Sequence, residues 1–235
     1  MQKDQILEVN KDNYEKLYAT KSNFLQYPAN WVIGFYNTYL KTNIPTGKIL
    51  DYGFGSGNNS VYLMERGYDV YGTEVTETAL GMLEQNLRDR RLEKKVDGKF
   101  LIFPADNISL PFADNYFDVI LSNQVLSYLS SEEHIKNVCA ELKRVLRPGG
   151  AVFFTLVGDK NYLISKYTKN VSGKVHEVVL DGHRMSDFYQ YIYVVDGEND
   201  LKNLFSDFTC LHVGHFDIDV LEGSNFHWIY IGKKE

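Results

Sequence analysis

The chain has 235 residues and a formal net charge of −6 at pH 7, an acidic balance that disfavours nucleic acid as the main partner. No apolar run approaches the ~20 residues that a membrane span needs, and the first residues lack the apolar stretch of a secretory signal. We therefore expect a cytoplasmic protein that binds neither membrane nor nucleic acid. The two cysteines, Cys139 and Cys210, are far apart and have no metal-ligand spacing, which predicts a reduced protein without a metal site.

From residue 48 to residue 157, short apolar runs alternate with segments of helical periodicity. The predicted strands are residues 48–52, 68–75, 99–105, 116–123 and 151–157. The predicted helices are residues 59–67, 76–92 and 131–146, the last with a serine N-cap at its first position. Strands that alternate with helices predict βαβ units with right-handed crossovers and a parallel sheet.

The flanking segments have a different character. Residues 1–45 are rich in aromatic residues and predict helical pieces broken at Pro28, whereas 158–195 carry one weak strand candidate, 188–195. A helix is expected from about Asp196, followed by two strands that form an antiparallel pair. We expect a single domain over 1–235, divided into an N-terminal helical lid (1–45), a core (46–157), an insert (158–195) and a C-terminal helix with a strand hairpin (196–235).

The sequence DYGFGSGNN, which begins at Asp51, places three glycines two residues apart directly after the first predicted strand. Glycine at this density indicates that a ligand approaches the backbone closely. A phosphate-binding P-loop is excluded because no lysine follows Gly57, and a dinucleotide loop is disfavoured because Asn58 or Ser60 stands at its third glycine position. A nicotinamide-dependent oxidoreductase remains the weaker alternative.

The acid followed by spaced glycines resembles the first motif of class I S-adenosylmethionine-dependent methyltransferases. Four further features occur in the family's order: Glu74 ends the second predicted strand, Asp106 follows the third, the stretch LPFADNYFDVI leads into strand four, and LRPGG precedes strand five. The resemblance implies an α/β fold with a Rossmann-like, doubly wound sheet of seven strands. That sheet is mostly parallel and carries a C-terminal antiparallel hairpin strand.

The resemblance also implies a cofactor, S-adenosyl-L-methionine, and its product S-adenosyl-L-homocysteine, held by the core. The family's acid after strand one approaches the ammonium of the methionyl part, the glycines admit that part against the backbone, and the acid after strand two accepts from the ribose hydroxyls. The acid after strand three meets the adenine, and the exit of strand four faces the sulfonium. Carried over to this sequence, these positions are Asp51, Gly53, Gly55, Gly57, Glu74, Asp106, Asn107, Asn123 and Gln124.

The acceptor is predicted less sharply than the cofactor. The aromatic N-terminal segment and the insert are expected to form its walls, with Tyr14, Tyr18, Tyr27, Tyr128 and Tyr189 as substrate-contacting residues. A general base, if the reaction uses one, is expected at His176 or His183, because histidine titrates near neutrality.

The segment YPANWVIGFY resembles small bacterial methyltransferases encoded with surface-sugar genes. This favours methyl transfer to an oxygen or nitrogen of a small-molecule acceptor, possible classes being a sugar or another small metabolite. The chain is expected to be a monomer or a homodimer. A cofactor-binding protein without catalysis is the second alternative.

Overall fold

The computed structural model describes residues 3–20, 27–92, 98–179, 189–219 and 223–235. Its strands fall into a large sheet and a small one. The strands are β1 Lys48–Tyr52, β2 Asp69–Glu74, β3 Phe100–Ile102, β4 Phe117–Asn123, β5 Leu146–Val157, β6 Thr168–Ser172, β7 Val175–Val179, β8 Tyr189–Tyr193, β9 Thr209–Phe216 and β10 His227–Lys233. The helices are α1 Lys3–Ala19, α2 Asn30–Phe35, α3 Lys41–Asn43, α4 Asn58–Glu65, α5 Glu77–Asp89, α6 Glu132–Val145, α7 Tyr162–Tyr167 and α8 Glu198–Leu204.

The large sheet has seven strands in the order β3-β2-β1-β4-β5-β10-β9. β1 pairs in parallel with β2 and β4, β3 with β2, and β5 with β4. β10 runs antiparallel to both β5 and β9. The predicted fold is therefore confirmed: a doubly wound α/β sheet, mostly parallel, that ends in an antiparallel hairpin. Reversal of strand order between β1 and β4 creates the crevice in which such folds bind ligands.

Alternate residues of each central strand point to opposite faces of this sheet. Both faces are apolar, and helices cover both. Leu50 and Ile120 lie in one buried cluster, which includes the apolar stripe of α6. Their neighbours Ile49 and Val119 lie in a second buried cluster with residues of α2, α4 and α5. The side chain of Ser131 caps α6 by accepting a hydrogen bond from the backbone N–H of His134 at 3.1 Å, as its sequence position predicts.

The small sheet has three antiparallel strands, β6-β7-β8. Of these, the sequence predicts only the strand near 188–195. The sequence analysis missed both β6 and β7. β6 is largely exposed and polar, and it lacks the apolar alternation that marks a strand. They form a tight hairpin that turns at Gly173, whose φ is +57°.

The side chain of Asn10 hydrogen-bonds helix α1 to β8. The Asn10 amide nitrogen donates to the carbonyls of Tyr128 and Tyr191, each at 2.9 Å, and its oxygen accepts from the Tyr191 N–H at 2.7 Å. A second piece of the N-terminal segment follows at α2, and a π-helical turn, Tyr36–Leu40, joins α2 to α3. Among the helices of the described ranges, none combines the length and the apolar character that crossing a bilayer requires.

Candidate active site

A cavity of about 460 Å³ lies at the carboxyl ends of β1, β2 and β4. One face of α1 closes it from above, since Leu7, Asn10, Tyr14 and Tyr18 recur at helical spacing along its wall. The segment 27–31 forms another side. The position matches the crevice at the reversal of strand order, where open α/β sheets bind their ligands.

The three loop glycines adopt backbone conformations that favour glycine. Their φ angles are +78° at Gly53, +54° at Gly55 and +79° at Gly57, a region that side chains rarely occupy. A Cβ would overlap the Val125 side chain at Gly53 and the Leu83 side chain at Gly57. Gly53 and Gly55 line the cavity, whereas Gly57 lies outside its lining and allows α4 to begin close to α5.

Asp51 is the penultimate residue of β1, directly behind the glycine loop; it is only 1% exposed and is not among the residues that line the cavity. Its Oδ2 accepts a hydrogen bond from the Ser60 hydroxyl at 2.5 Å, while its buried Oδ1 has no hydrogen-bond partner among the described residues. Burial raises the pKa of this carboxyl to about 7, against the opposing effect of the Ser60 hydrogen bond. A buried carboxylate with an unpaired oxygen suits a cationic donor such as an ammonium group.

Glu74 lies at the end of β2 and lines the cavity. One carboxylate oxygen accepts from the Gly55 N–H at 3.0 Å and the other from the Val75 N–H at 2.7 Å. Burial raises the pKa of Glu74, while hydrogen bonds from Val75, Gly55 and Thr76 act to lower it. The carboxylate thus fastens the glycine loop and keeps further lone pairs for a ligand's hydroxyl groups.

Asn123 and Gln124 follow at the end of β4, and both line the cavity. The Asn123 side-chain oxygen accepts from Trp31 Nε1 at 2.6 Å and from the Thr155 hydroxyl at 3.1 Å. The same hydroxyl accepts from the backbone N–H of Gln124 at 2.8 Å. Gln124 has a φ of +59°, a costly conformation for a residue other than glycine. The chain is therefore held in a sharp turn at the cavity wall.

Four predicted substrate tyrosines line the cavity: Tyr14, Tyr18, Tyr27 and Tyr128. The rings of Tyr14 and Tyr128 meet edge to face with centroids 5.0 Å apart. Burial raises the pKa of both, and the Tyr14 hydroxyl donates a hydrogen bond that acts to lower the pKa of Tyr128. Tyr27 is 76% exposed at the rim. The side chain of the fifth, Tyr189, lies outside the described residues.

Some predicted site residues are not brought to the cavity. Asp106 and Asn107 are exposed, and the wall near them is made by Phe103, Pro104 and Ala105 instead. His176 lies on β7 opposite Ile192 of β8 and is not among the lining residues. His183 falls outside the described residues. The adenine-binding and general-base roles of these residues stay predictions.

The C-terminal hairpin contributes to the site in a way that sequence reasoning missed. The Trp31 ring stacks on Phe216 of β9 at 3.6 Å, and Phe216 stacks on His227 of β10 at 4.8 Å. His227 Nε2 lies 3.1 Å from Nε2 of Gln124. These partners are distant in sequence and meet only through the strand pairing. The only sequence signal was the cluster of aromatic residues and histidines in the last two strands.

Comparison with known proteins agrees with this fold. Residues 50–154 match the family model described as a methyltransferase domain. A solved S-adenosylmethionine-dependent methyltransferase of Methanosarcina mazei is 21% identical, with a TM-score of 0.64 over 84% of this chain and 97% of that one. A Burkholderia thailandensis 1,6-didemethyltoxoflavin-N1-methyltransferase, solved with its substrate and S-adenosylhomocysteine, is 15% identical, with a TM-score of 0.67 over 100% and 91%.

A sequence relative covers the same core. The ubiquinone/menaquinone biosynthesis C-methyltransferase UbiE of Burkholderia mallei is 35% identical over 119 residues, 49% of this chain and 45% of the relative. This chain therefore matches about half the length of the curated relatives. Residues 50–154 form a methyltransferase domain, and its fold is that of the class I S-adenosylmethionine-dependent methyltransferases. The resemblance of this core to class I S-adenosylmethionine-dependent methyltransferases is confirmed, and S-adenosylmethionine is the cofactor of that class.

Proposed function

We propose that the chain transfers a methyl group from S-adenosylmethionine to an oxygen or nitrogen of a small-molecule acceptor, a sugar or another small metabolite being the candidate classes. The observation that carries the proposal is the glycine-lined cavity with the carboxylate of Glu74 from β2 in its wall and the buried carboxyl of Asp51 from the adjacent strand β1 directly behind its glycine loop. Carboxylates so placed can hold the amine and the sugar of one extended ligand.

The residues around the cavity suit the cofactor part by part. The unpaired Oδ1 of Asp51 would neutralise the methionyl ammonium, and Gly53 and Gly55 leave bare backbone beside it. Glu74 would accept from the ribose hydroxyls. When bound, S-adenosylmethionine supplies a methyl group activated by positive sulfur. The Tyr14 and Tyr18 rings over the loop would exclude water and favour the positive charge, an effect worth up to about 2 kcal/mol when desolvated.

The acceptor would enter beside the tyrosine rings and the end of β4. Holding its nucleophilic atom in line with the methyl group can contribute about 7–11 kcal/mol to lowering the barrier. A general base would add about 10²–10⁴-fold, and His176 and His183 are its proposed positions. Replacing each with alanine is expected to lower turnover more than cofactor affinity. If both variants keep full activity, the base assignment fails.

The test compares ligands by isothermal titration calorimetry and then measures transfer. We expect binding of S-adenosylhomocysteine and no binding of NAD⁺ or NADP⁺. The opposite result would favour the oxidoreductase alternative. Radioactive methyl transfer from S-adenosyl-[methyl-³H]methionine is then followed across a metabolite library that includes sugars. Binding of S-adenosylhomocysteine without transfer to any compound would favour a cofactor-binding protein without catalysis.

A further inference from the structure

Gln124 is held in one orientation by a residue far away in sequence. It follows β4 directly, at the strained φ of +59°, and it lines the cavity. Its side-chain nitrogen lies 3.1 Å from Nε2 of His227, 103 positions along the chain. An amide has one donating and one accepting end, so the state of His227 decides which end of Gln124 is left for a ligand.

The surroundings of His227 fix its tautomer. Nδ1 lies 3.2 Å from the backbone carbonyl oxygen of Asn225. A carbonyl oxygen can only accept, so Nδ1 must carry the proton. Burial lowers the pKa of the ring to about 4, against smaller opposing effects of the Asn225 hydrogen bond and of Asp217. The ring is therefore neutral near pH 7, and Nε2 is a bare acceptor.

The ring is also held in place mechanically. His227 is 5% exposed, and Phe216 stacks on its face with an interplanar angle of 10°. Trp31 also stacks on Phe216, and its indole N–H is fixed by Asn123. A ring packed in this way cannot turn to exchange its two nitrogens without breaking the stack. The Gln124 amide nitrogen must donate to it, which leaves the amide oxygen as the polar end for the cavity.

We propose that Gln124 is a specificity-determining residue that selects acceptors with a hydrogen on the reacting heteroatom, an N–H or an O–H, by accepting that hydrogen on its side-chain oxygen. The inference rests on the proposed methyltransferase function and narrows its substrate class. The hydrogen bond would turn the lone pair of the heteroatom away from Gln124 and toward the methyl group.

The reaction balances without a further component. The lone pair of the acceptor heteroatom forms the new bond to the methyl carbon, and the electron pair of the broken carbon–sulfur bond returns to sulfur. The N–H or O–H proton then passes to the proposed general base or to solvent, because an amide oxygen is too weak a base to keep it. Gln124 therefore positions the acceptor and does not act as a general base.

The first measurement needs no acceptor. In protein labelled with ¹⁵N-histidine, long-range ¹H–¹⁵N NMR spectra report which ring nitrogen carries the proton. We expect His227 to be neutral with Nδ1 protonated and Nε2 bare at pH 7. A proton on Nε2, or a charged ring at that pH, would require the Gln124 oxygen to face His227 and would overturn the inference.

The second measurement compares acceptors with and without the hydrogen. Aniline and N-methylaniline, which carry an N–H on the reacting nitrogen, are offered beside N,N-dimethylaniline, which carries none, together with hexoses, phenols and carbon acids, with tritiated cofactor. Transfer only to N–H or O–H compounds supports the inference. Preferred transfer to a carbon, a sulfur or a tertiary amine overturns it while leaving the methyltransferase function intact. If no probe is methylated, the position of the His227 ring proton found by NMR supports or overturns the inference on its own.

Gln124→Met, which removes the acceptor oxygen at similar volume, is expected to reduce transfer to an N–H or O–H acceptor at least about tenfold. The family resemblance implies a cofactor contact for Gln124, whereas an acceptor contact leaves the Kd of Gln124→Met for S-adenosylhomocysteine within about twofold of that of the unchanged protein. Gln85→Met on the exposed face of α5 is the matched control and should alter neither quantity. Equal losses of cofactor binding and transfer in Gln124→Met would contradict a role toward the acceptor. Failure of the unchanged protein to bind S-adenosylhomocysteine would instead defeat the proposed function.

Discussion

The unpaired oxygen of Asp51 leads to a prediction about pH. The carboxyl has a pKa of about 7 in the ligand-free protein because it is buried. If the ligand's ammonium sits against it, the ionised form is favoured in the complex. Binding of S-adenosylhomocysteine must then expel the proton wherever the free carboxyl still holds one. Affinity should therefore rise with pH through about 7 and level off above it.

The expected size follows from that pKa. At pH 6 about one molecule in eleven has Asp51 ionised, and at pH 8 about ten in eleven, so the affinity for S-adenosylhomocysteine should differ about tenfold, or about 1.4 kcal/mol. At pH 7 about half a proton should be released per ligand bound. Calorimetry in two buffers of different ionisation enthalpy counts that proton directly.

Two variants separate Asp51 from other titrating groups. Asp51→Asn should lose the tenfold difference between pH 6 and pH 8, while titration of the ligand's own amine affects both proteins equally. Ser60→Ala removes the hydrogen bond that lowers the pKa of Asp51, so the rise in affinity should move to higher pH. An identical pH dependence in the unchanged protein and in Asp51→Asn would refute the assignment of Asp51 to the ammonium.

Three further changes test the loop and its cover. Gly57→Ala forces a side chain at φ +79° into Leu83 and should lower the free energy of unfolding by about 2–4 kcal/mol. The control Gly81→Ala meets open space in α5 and should raise the free energy of unfolding by about 0.5–1 kcal/mol. Glu74→Ala should weaken S-adenosylhomocysteine binding by about 1.5–3 kcal/mol in calorimetry; unchanged affinity would remove it from the site. Asn10→Ala should increase amide hydrogen exchange in α1 ahead of the sheet, and unchanged exchange would show that other contacts dock α1.

The core of the fold was predictable because its signals are local. Each parallel strand is a short apolar run, and the serine at position 131 and the glycines after β1 mark helix starts within a few residues. Boundaries were less accurate: β3 covers only Phe100–Ile102, and β5 begins at Leu146, before the predicted 151. Strand ends depend on the partner strand, which the local sequence does not specify.

The sequence also predicted that Asp51 and Glu74 lie near the ends of neighbouring parallel strands, while their roles toward the cofactor stay predictions. The acceptor side was not predictable from the sequence. The pairing of Gln124 with His227 depends on the antiparallel hairpin beside β5, and β6 and β7 carry no apolar alternation. Long-range side-chain pairs of this kind follow from strand register, which a single sequence does not fix outside the buried face.

The residues proposed to hold the cofactor and the residues that orient Gln124 lie in different parts of the large sheet. The residues proposed to hold the cofactor belong to β1, β2 and the loop between β1 and α4, whereas the orientation of Gln124 is set by β9 and β10 at the far end of the sheet. A substitution at His227 or Phe216 would release the Gln124 amide without touching the glycine loop. Because sites without shared partners contribute to binding almost independently, under the proposed function such a substitution is expected to change which acceptor is methylated while the affinity for S-adenosylhomocysteine stays the same.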